Sequence, residues 1–239
     1  MSPFKNVLVA GGTGGLGHFI VEEFLRNGQY NVRVLARLST GTEKADIIGR
    51  LKSQGAEFVF AEFNDHASLV KAVRGLFKTM FFAQAKLPRL THASAGIDVV
   101  VSALSPIGLL EPELALMKAS QETGVKRYIP SEFGMDTARM TNPLFNSKKE
   151  IQRILKETGM DYTFIYTGFF PDFSLNAAWG FDIKNGEIKI VGDGNEYIHW
   201  THREDVAKYT VAILDNSDSR NAVVGVAGDK TFNEVAKAI

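Results

Sequence analysis

The stretch VLVAGGTGGLGHFI, Val7 to Ile20, leaves this chain few folds to choose from. An apolar, strand-like run ends in glycines at 11, 14 and 17, and a helical pattern begins directly behind them. Glycine permits the tight turn and lets the main chain approach a pyrophosphate, which then rests on the free N–H groups of the helix start. Gly11, Gly12, Thr13, Gly14, Gly15, Leu16 and Gly17 are therefore the expected dinucleotide-binding turn, with Thr13 offering a hydroxyl hydrogen bond. The alternative is a glycine turn that serves chain geometry alone. The position between a first strand and a first helix favours the dinucleotide.

The rest of the chain repeats the strand–helix rhythm. Strands are expected over 6–10, 32–37, 57–63, 97–104, 125–131 and 160–168, and helices over 15–28, 43–55, 65–75, 111–124 and 142–159. Apolar strands in βαβ alternation predict an α/β fold, a doubly wound parallel sheet of the Rossmann type, over residues 1–168. Past about residue 170 the rhythm loosens into shorter strands and one helix. Residues 169–239 thus read as a smaller, partly interleaved substrate-side region. Asp65 is expected to cap the helix behind it.

Composition excludes several function classes. Lys+Arg and Asp+Glu are both 27, so nothing suggests a nucleic-acid surface or a polybasic membrane anchor. The absence of cysteine removes disulfides, thiolate metal sites and a cysteine nucleophile. His199 and His202 flank Trp200 and Thr201, but no acidic residue is spaced to complete a metal site with them, so both read as surface or structural. The chain shows no apolar run long enough to span a bilayer and no leader before its first strand, so a cytoplasmic location is expected.

The second strand indicates which dinucleotide. An acid at its end would hold the ribose 2′-OH, whereas a basic residue accommodates a 2′-phosphate. Here Arg37 stands at that end, with no Asp or Glu beside it and Lys44 a few residues on. NADP(H) is the expected cofactor, and a merely solvated arginine the alternative. Ser102, Ala103 and Leu104 end the fourth strand, where ribose and nicotinamide pass. Pro130, Ser131, Glu132 and Phe133 follow the fifth, and Thr167, Gly168, Phe169 and Phe170 the sixth. Phe133, Thr167, Phe169 and Phe170 are candidates for a substrate pocket, with plain core the alternative for Phe169 and Phe170.

The helix NPLFNSKKEIQRILKETG, Asn142 to Gly159, carries two adjacent lysines. On a helical period Leu144, Ile151, Ile154 and Leu155 share one side. Lys148 lies about 60° from the centre of that stripe, and Lys149 about 160° away among Gln152, Arg153 and Lys156. Lys149 is expected in water and Lys148 to lean inward, with no acidic partner on its own face. An inward lysine can be a catalytic group or one that snorkels over apolar surface.

Four segments together, VLVAGGTGGLG, SALSPIG, TGVKRYIPSEFG and KKEIQRILKETGMDYTFIYTGFF, resemble the NmrA-like, isoflavone-reductase-like branch of the atypical short-chain dehydrogenases. The resemblance covers most of the chain. It implies an NADPH-binding reductase acting on a small aromatic or polyketide-type secondary metabolite. The wider group also contains dinucleotide-binding regulators without known turnover, for which a protein partner is the expectation. Ordinary short-chain dehydrogenases use a Tyr-x-x-x-Lys pair, but four residues before Lys148 stands Leu144. The resemblance implies instead a lysine eleven residues before the glycine that ends this helix. Counting back from Gly159 gives Lys148, the implied catalytic group.

Two features depart from that pattern. Residues 76–95 separate a helix from a strand that the family joins almost directly, so they read as an insertion, with an in-frame retained intron or a mis-spliced gene model as the expected origin. The chain also stops inside what should be a helix, so the substrate-side region is expected to be incomplete.

Overall fold

A computed structural model describes residues 2–75, 96–190 and 192–238, and the expected insertion 76–95 lies outside the described residues. The first strand, β1 (Asn6–Ala10), is buried at all five positions. Its Val7 and Val9 enter one apolar layer while Leu8 and Ala10 enter the other. That is the two-residue alternation of a strand covered on both faces.

In chain order there follow α1 (Gly17–Asn27), β2 (Asn31–Ala36), α2 (Thr40–Glu43), α3 (Ala45–Ser53), β3 (Glu57–Phe60) and α4 (His66–Arg74). Next come β4 (Val99–Ser102), α5 (Leu110–Glu122), β5 (Arg127–Ile129), α6 (Asn146–Glu157) and β6 (Asp161–Tyr166). The C-terminal third supplies α7 (Pro171–Ser174), β7 (Phe181–Asp182), β8 (Glu187–Ile188), β9 (Tyr197–Trp200), α8 (Arg203–Ala212), β10 (Ala222–Gly225), β11 (Gly228–Thr231) and α9 (Phe232–Ala238). Asp65 caps α4 by accepting from the Ser68 N–H at 3.1 Å.

Seven strands form one sheet in the order β10-β6-β5-β4-β1-β2-β3, every pairing parallel. Val7 of β1 stands opposite Val32 on one side and Val99 on the other. Chain order therefore reverses direction at β1 and β4, and a crevice opens at their carboxyl ends. Buried residues of α1 and α8 pack on one face, among them Ile20, Phe24, Val206 and Val211. Residues of α4, α5 and α6 cover the other, including Leu69, Leu116 and Leu155. Beyond residue 169 the chain is divided: β10 extends the large sheet beside β6, while β7–β8 and β9–β11 form two small antiparallel pairs. Phe169, Phe181, Trp200 and Phe232 pack against one another around those pairs.

The surroundings of α6 differ from the sequence pattern in two ways. Leu144, expected on the apolar stripe, is 79% exposed. It sits before the helix in a 3-10 turn, Pro143–Phe145, started by the Asn142 carboxamide accepting the Leu144 N–H, so the helical phase has not yet begun. Lys149, expected in water, is half-buried, and Gln152 on the same side is buried. Residues 137–140 fold back over that side of the helix, where Lys149 Nζ donates to the Met140 carbonyl and Gln152 Nε2 to the Thr137 hydroxyl. Helical periodicity reports one buried face and is blind to a loop that covers a second.

Leu155 is fully buried and Leu144 is not, although both lie on the stripe read from sequence. Leu155→Ala should cost about 2–5 kcal/mol in urea denaturation, and Leu144→Ala less than about 0.5 kcal/mol. Equal effects would contradict this placement of α6.

Candidate active site

The glycine turn is shaped by close approaches. Gly11 has φ 74°, and a Cβ there would lie 2.4 Å from the carbonyl oxygen of Ala103 at the end of β4. A Cβ on Gly17 would lie 2.1 Å from the Gly11 carbonyl. The start of α1 is thus pressed onto the turn, and the turn onto β4. No side chain caps α1 and its first turn holds no acidic residue, so its free N–H groups and positive dipole end are left for an anion.

Gly11, Thr13 and Gly14 form one wall of a cavity of about 260 Å³. Ala103 and Leu104 line it from β4, and Arg37, Glu43 and Lys44 from beyond β2. Arg37 is exposed and engages no other side chain among the described residues. Lys44 is half-buried and donates to the Thr13 carbonyl at 3.1 Å, which holds its ammonium over the turn. A cradle with no room for a Cβ, an uncapped helix start and two cations fit a phosphorylated dinucleotide.

A second cavity, of about 310 Å³, adjoins the first and shares Ala103, Leu104 and Ser105 with it. Gly15 and Leu16 line it from the turn, Glu132 and Phe133 from the segment after β5, Lys148 from α6, and Phe170 and Phe173 from the C-terminal third. Lys148 Nζ donates to the backbone carbonyl of Glu132. Burial lowers the Lys148 pKa, and the carboxylates of Glu132 and Glu113 oppose that effect. The acidic neighbour that the helix face does not provide comes from the loop after β5, 16 residues earlier in the chain.

Glu132 is itself buried, and burial raises its pKa against the influence of Lys148. Gln152 Nε2 donates to one carboxylate oxygen at 3.0 Å and the Thr137 hydroxyl to the other at 3.0 Å. Gln152 also reaches the Tyr166 hydroxyl at 3.0 Å. Thus the segment after β5, the loop over α6, α6 and β6 meet in one hydrogen-bonded group behind the lysine.

The other expected site residues are dispersed. Ser102 is fully buried and donates at 2.6 Å to Glu113, so its side chain lies under the cavities while Ala103 and Leu104 line both. Thr167 is fully buried and lines neither. Phe169 packs on Trp200 and lines a separate hollow with Tyr166 and Tyr197. His199 Nδ1 pairs with Asp229, and His202 caps α8 by accepting the Glu204 N–H at 3.3 Å. Among the described residues no group of three or more acidic or histidine side chains could hold a metal, and no helix is long and apolar enough to cross a membrane.

Sequence reading overlooked a buried pair beneath the site. Glu113 accepts from Ser102 and, at 3.1 Å, from the Tyr128 hydroxyl. Burial raises its pKa to about 7 against those hydrogen bonds. A signal was present: Glu113 precedes Leu116 and Met117 by three and four residues, which puts it on the inward face of α5.

A parallel sheet that reverses order at a glycine turn, with two joined cavities along that edge, defines a dinucleotide-binding protein of the Rossmann type. The model of the NmrA-like family matches residues 3–239, and the chain belongs to that family. It is 34% identical over 237 residues to pinoresinol reductase 2 of Arabidopsis thaliana, covering 92% of this chain and 68% of that protein. It is 32% identical to an isoflavone reductase homolog of Solanum tuberosum, covering 94% of this chain and 69% of the relative. Among solved structures it resembles AtPrR2 with NADP+ and (+)pinoresinol, with TM-score 0.73, 31% identity, and 95% of this chain and 71% of that one covered. The crystal structure of an isoflavone reductase superposes with TM-score 0.78 at 27% identity, over 97% of this chain and 73% of that one.

Folded Glu113 keeps its proton up to about pH 7, while the unfolded carboxyl releases it near 4.5. The folded chain therefore binds the extra proton between those values, and this contribution to stability, about 3 kcal/mol at most, is present below pH 4.5 and lost as pH rises through 7. Urea denaturation at pH 5 and pH 8 should show a smaller loss of stability for Glu113→Gln than for the unaltered protein. An identical loss in both would remove the raised pKa.

Proposed function

We propose that this protein is an NADPH-dependent reductase that delivers hydride to a carbonyl or conjugated double bond of a small aromatic or polyketide-like metabolite. Lys148 is its catalytic group, and no tyrosine stands four residues before it. The observation that carries this reading is the position of Lys148. Lys148 lines a cavity with Phe133, Phe170 and Phe173, and that cavity adjoins the glycine turn. The enzyme is an oxidoreductase and its cofactor is NADP(H), as the named activities of its reductase relatives and the NADP+ of a solved neighbour support.

NADPH supplies the hydride when bound. Oxygen on the acceptor gains negative charge as hydride arrives, and a positioned ammonium stabilises that charge and can donate the proton that completes reduction. Burial makes Lys148 a stronger acid than lysine in water, which suits it to donate. The Glu132 carbonyl fixes Nζ from behind, and the Gln152–Thr137 group fixes the Glu132 carboxylate. The phenylalanines offer apolar surface to an aromatic ring and exclude water from it. On the cofactor side, Arg37 and Lys44 supply positive charge for a 2′-phosphate.

Titration with NADPH and NADH should show selective binding of NADPH. Arg37→Ala should lower NADPH affinity about tenfold and leave NADH affinity unchanged. Equal loss for both nucleotides would refute the 2′-phosphate role. Lys148→Met should keep NADPH binding and lower turnover by about 10²- to 10⁴-fold, assayed on pinoresinol, isoflavones and related aromatics. Unchanged turnover would leave Lys148 as a packing residue.

A further inference from the structure

We propose that Arg203 is a positioning residue that sets the orientation of the dinucleotide turn from the C-terminal third of the chain. The inference rests on the reading of that turn as an NADP(H) site. Arg203 begins α8, yet its guanidinium serves other elements. Nε donates to Asp172 of α7 at 2.5 Å, and Nη1 donates to the Gly15 carbonyl at 3.0 Å. Its plane lies near two rings, 5.6 Å from the centre of Phe19 in α1 and 5.8 Å from that of Phe173 in α7. The side chain is only 19% exposed. The forked, planar guanidinium can reach a carboxylate, a carbonyl and two rings together, whereas an ammonium is a single point of charge.

The glycine at position 15 matches this arrangement. Gly15 is not among the glycines with positive φ, so its backbone does not demand glycine. A Cβ there would instead lie 2.8 Å from Arg203 Nη1, and the guanidinium fills the space a side chain would take. The peptide between Gly15 and Leu16 is planar and trans, so its carbonyl and its N–H point in opposite directions. Holding the Gly15 carbonyl on Arg203 therefore fixes the Leu16 N–H on the other side. That N–H stands at the N-cap of α1 and has no backbone partner among the described residues. It is one of the donors that a diphosphate would use. Through Asp172 the same guanidinium also holds α7, whose Phe173 lines the second cavity beside Arg203.

The test compares two ligands on Arg203→Met, Arg203→Lys, Asp172→Asn and the Met/Asn double variant. NADPH carries the diphosphate, while 2′-AMP carries only the adenosine and 2′-phosphate that Arg37 and Lys44 would hold. Arg203→Met should weaken NADPH about tenfold and leave 2′-AMP unchanged, with no rescue by Arg203→Lys. Asp172→Asn, which touches no expected cofactor-binding residue, should weaken NADPH less, and the double variant no more than Arg203→Met alone. Unchanged NADPH affinity in Arg203→Met would overturn the inference. Equal loss of both ligands with a lowered Tm would also overturn it, because Arg203 would then only hold the fold. If the unaltered protein bound neither ligand, the NADP(H) reading itself would fall and this inference with it.

Discussion

Everything at this site depends on how closely three backbones meet at the end of β1. Gly11 lies against the Ala103 carbonyl and Gly17 against the Gly11 carbonyl, at separations no Cβ would tolerate. Those approaches seat the start of α1 over the crevice where strand order reverses. They also align β4 so that Ala103 and Leu104 line both cavities while Ser102 turns down to Glu113. Because the cradle is built from backbone, its shape follows from the sheet, and the Arg203 guanidinium meets it at the Gly15 carbonyl.

Charge is handled differently on the two sides of that crevice. Over the first cavity Arg37 and Lys44 stay at or near the surface, Lys44 held by the Thr13 carbonyl. Under the second cavity Lys148, Glu132 and Glu113 are drawn into the protein, where the desolvation of each must be offset by hydrogen bonds or by the others. Gln152, Thr137, Tyr128 and Ser102 provide those bonds. The outcome is a lysine of lowered pKa, held by the Glu132 carbonyl beside an aromatic-lined cavity.

Local pattern revealed much of this and missed the rest for identifiable reasons. The βαβ rhythm and the glycine spacing depend on side-chain period and on backbone freedom, both local properties, and the parallel sheet follows them. The inward lean of Lys148 was legible from helix phase alone. Its acidic neighbour was not, because Glu132 reaches it from a loop rather than from α6. Lys149 is not in water, because residues 137–140 cover a helix face that periodicity assigns to solvent. Glu113 carried a local signal, its spacing from Leu116 and Met117, but an acid there reads as surface until Ser102 and Tyr128 are brought to it.

By itself the sequence determined the fold class and the place of the glycine turn, since each rests on residues close in the chain. Tertiary structure alone decided which side chains share a cavity. Phe170 joined Lys148 while Phe169 turned away to Trp200, although they are neighbours in the segment after β6. It also brought Arg203 to Gly15 across 188 positions. No local period encodes such a contact, because it exists only once α8 has packed on α1.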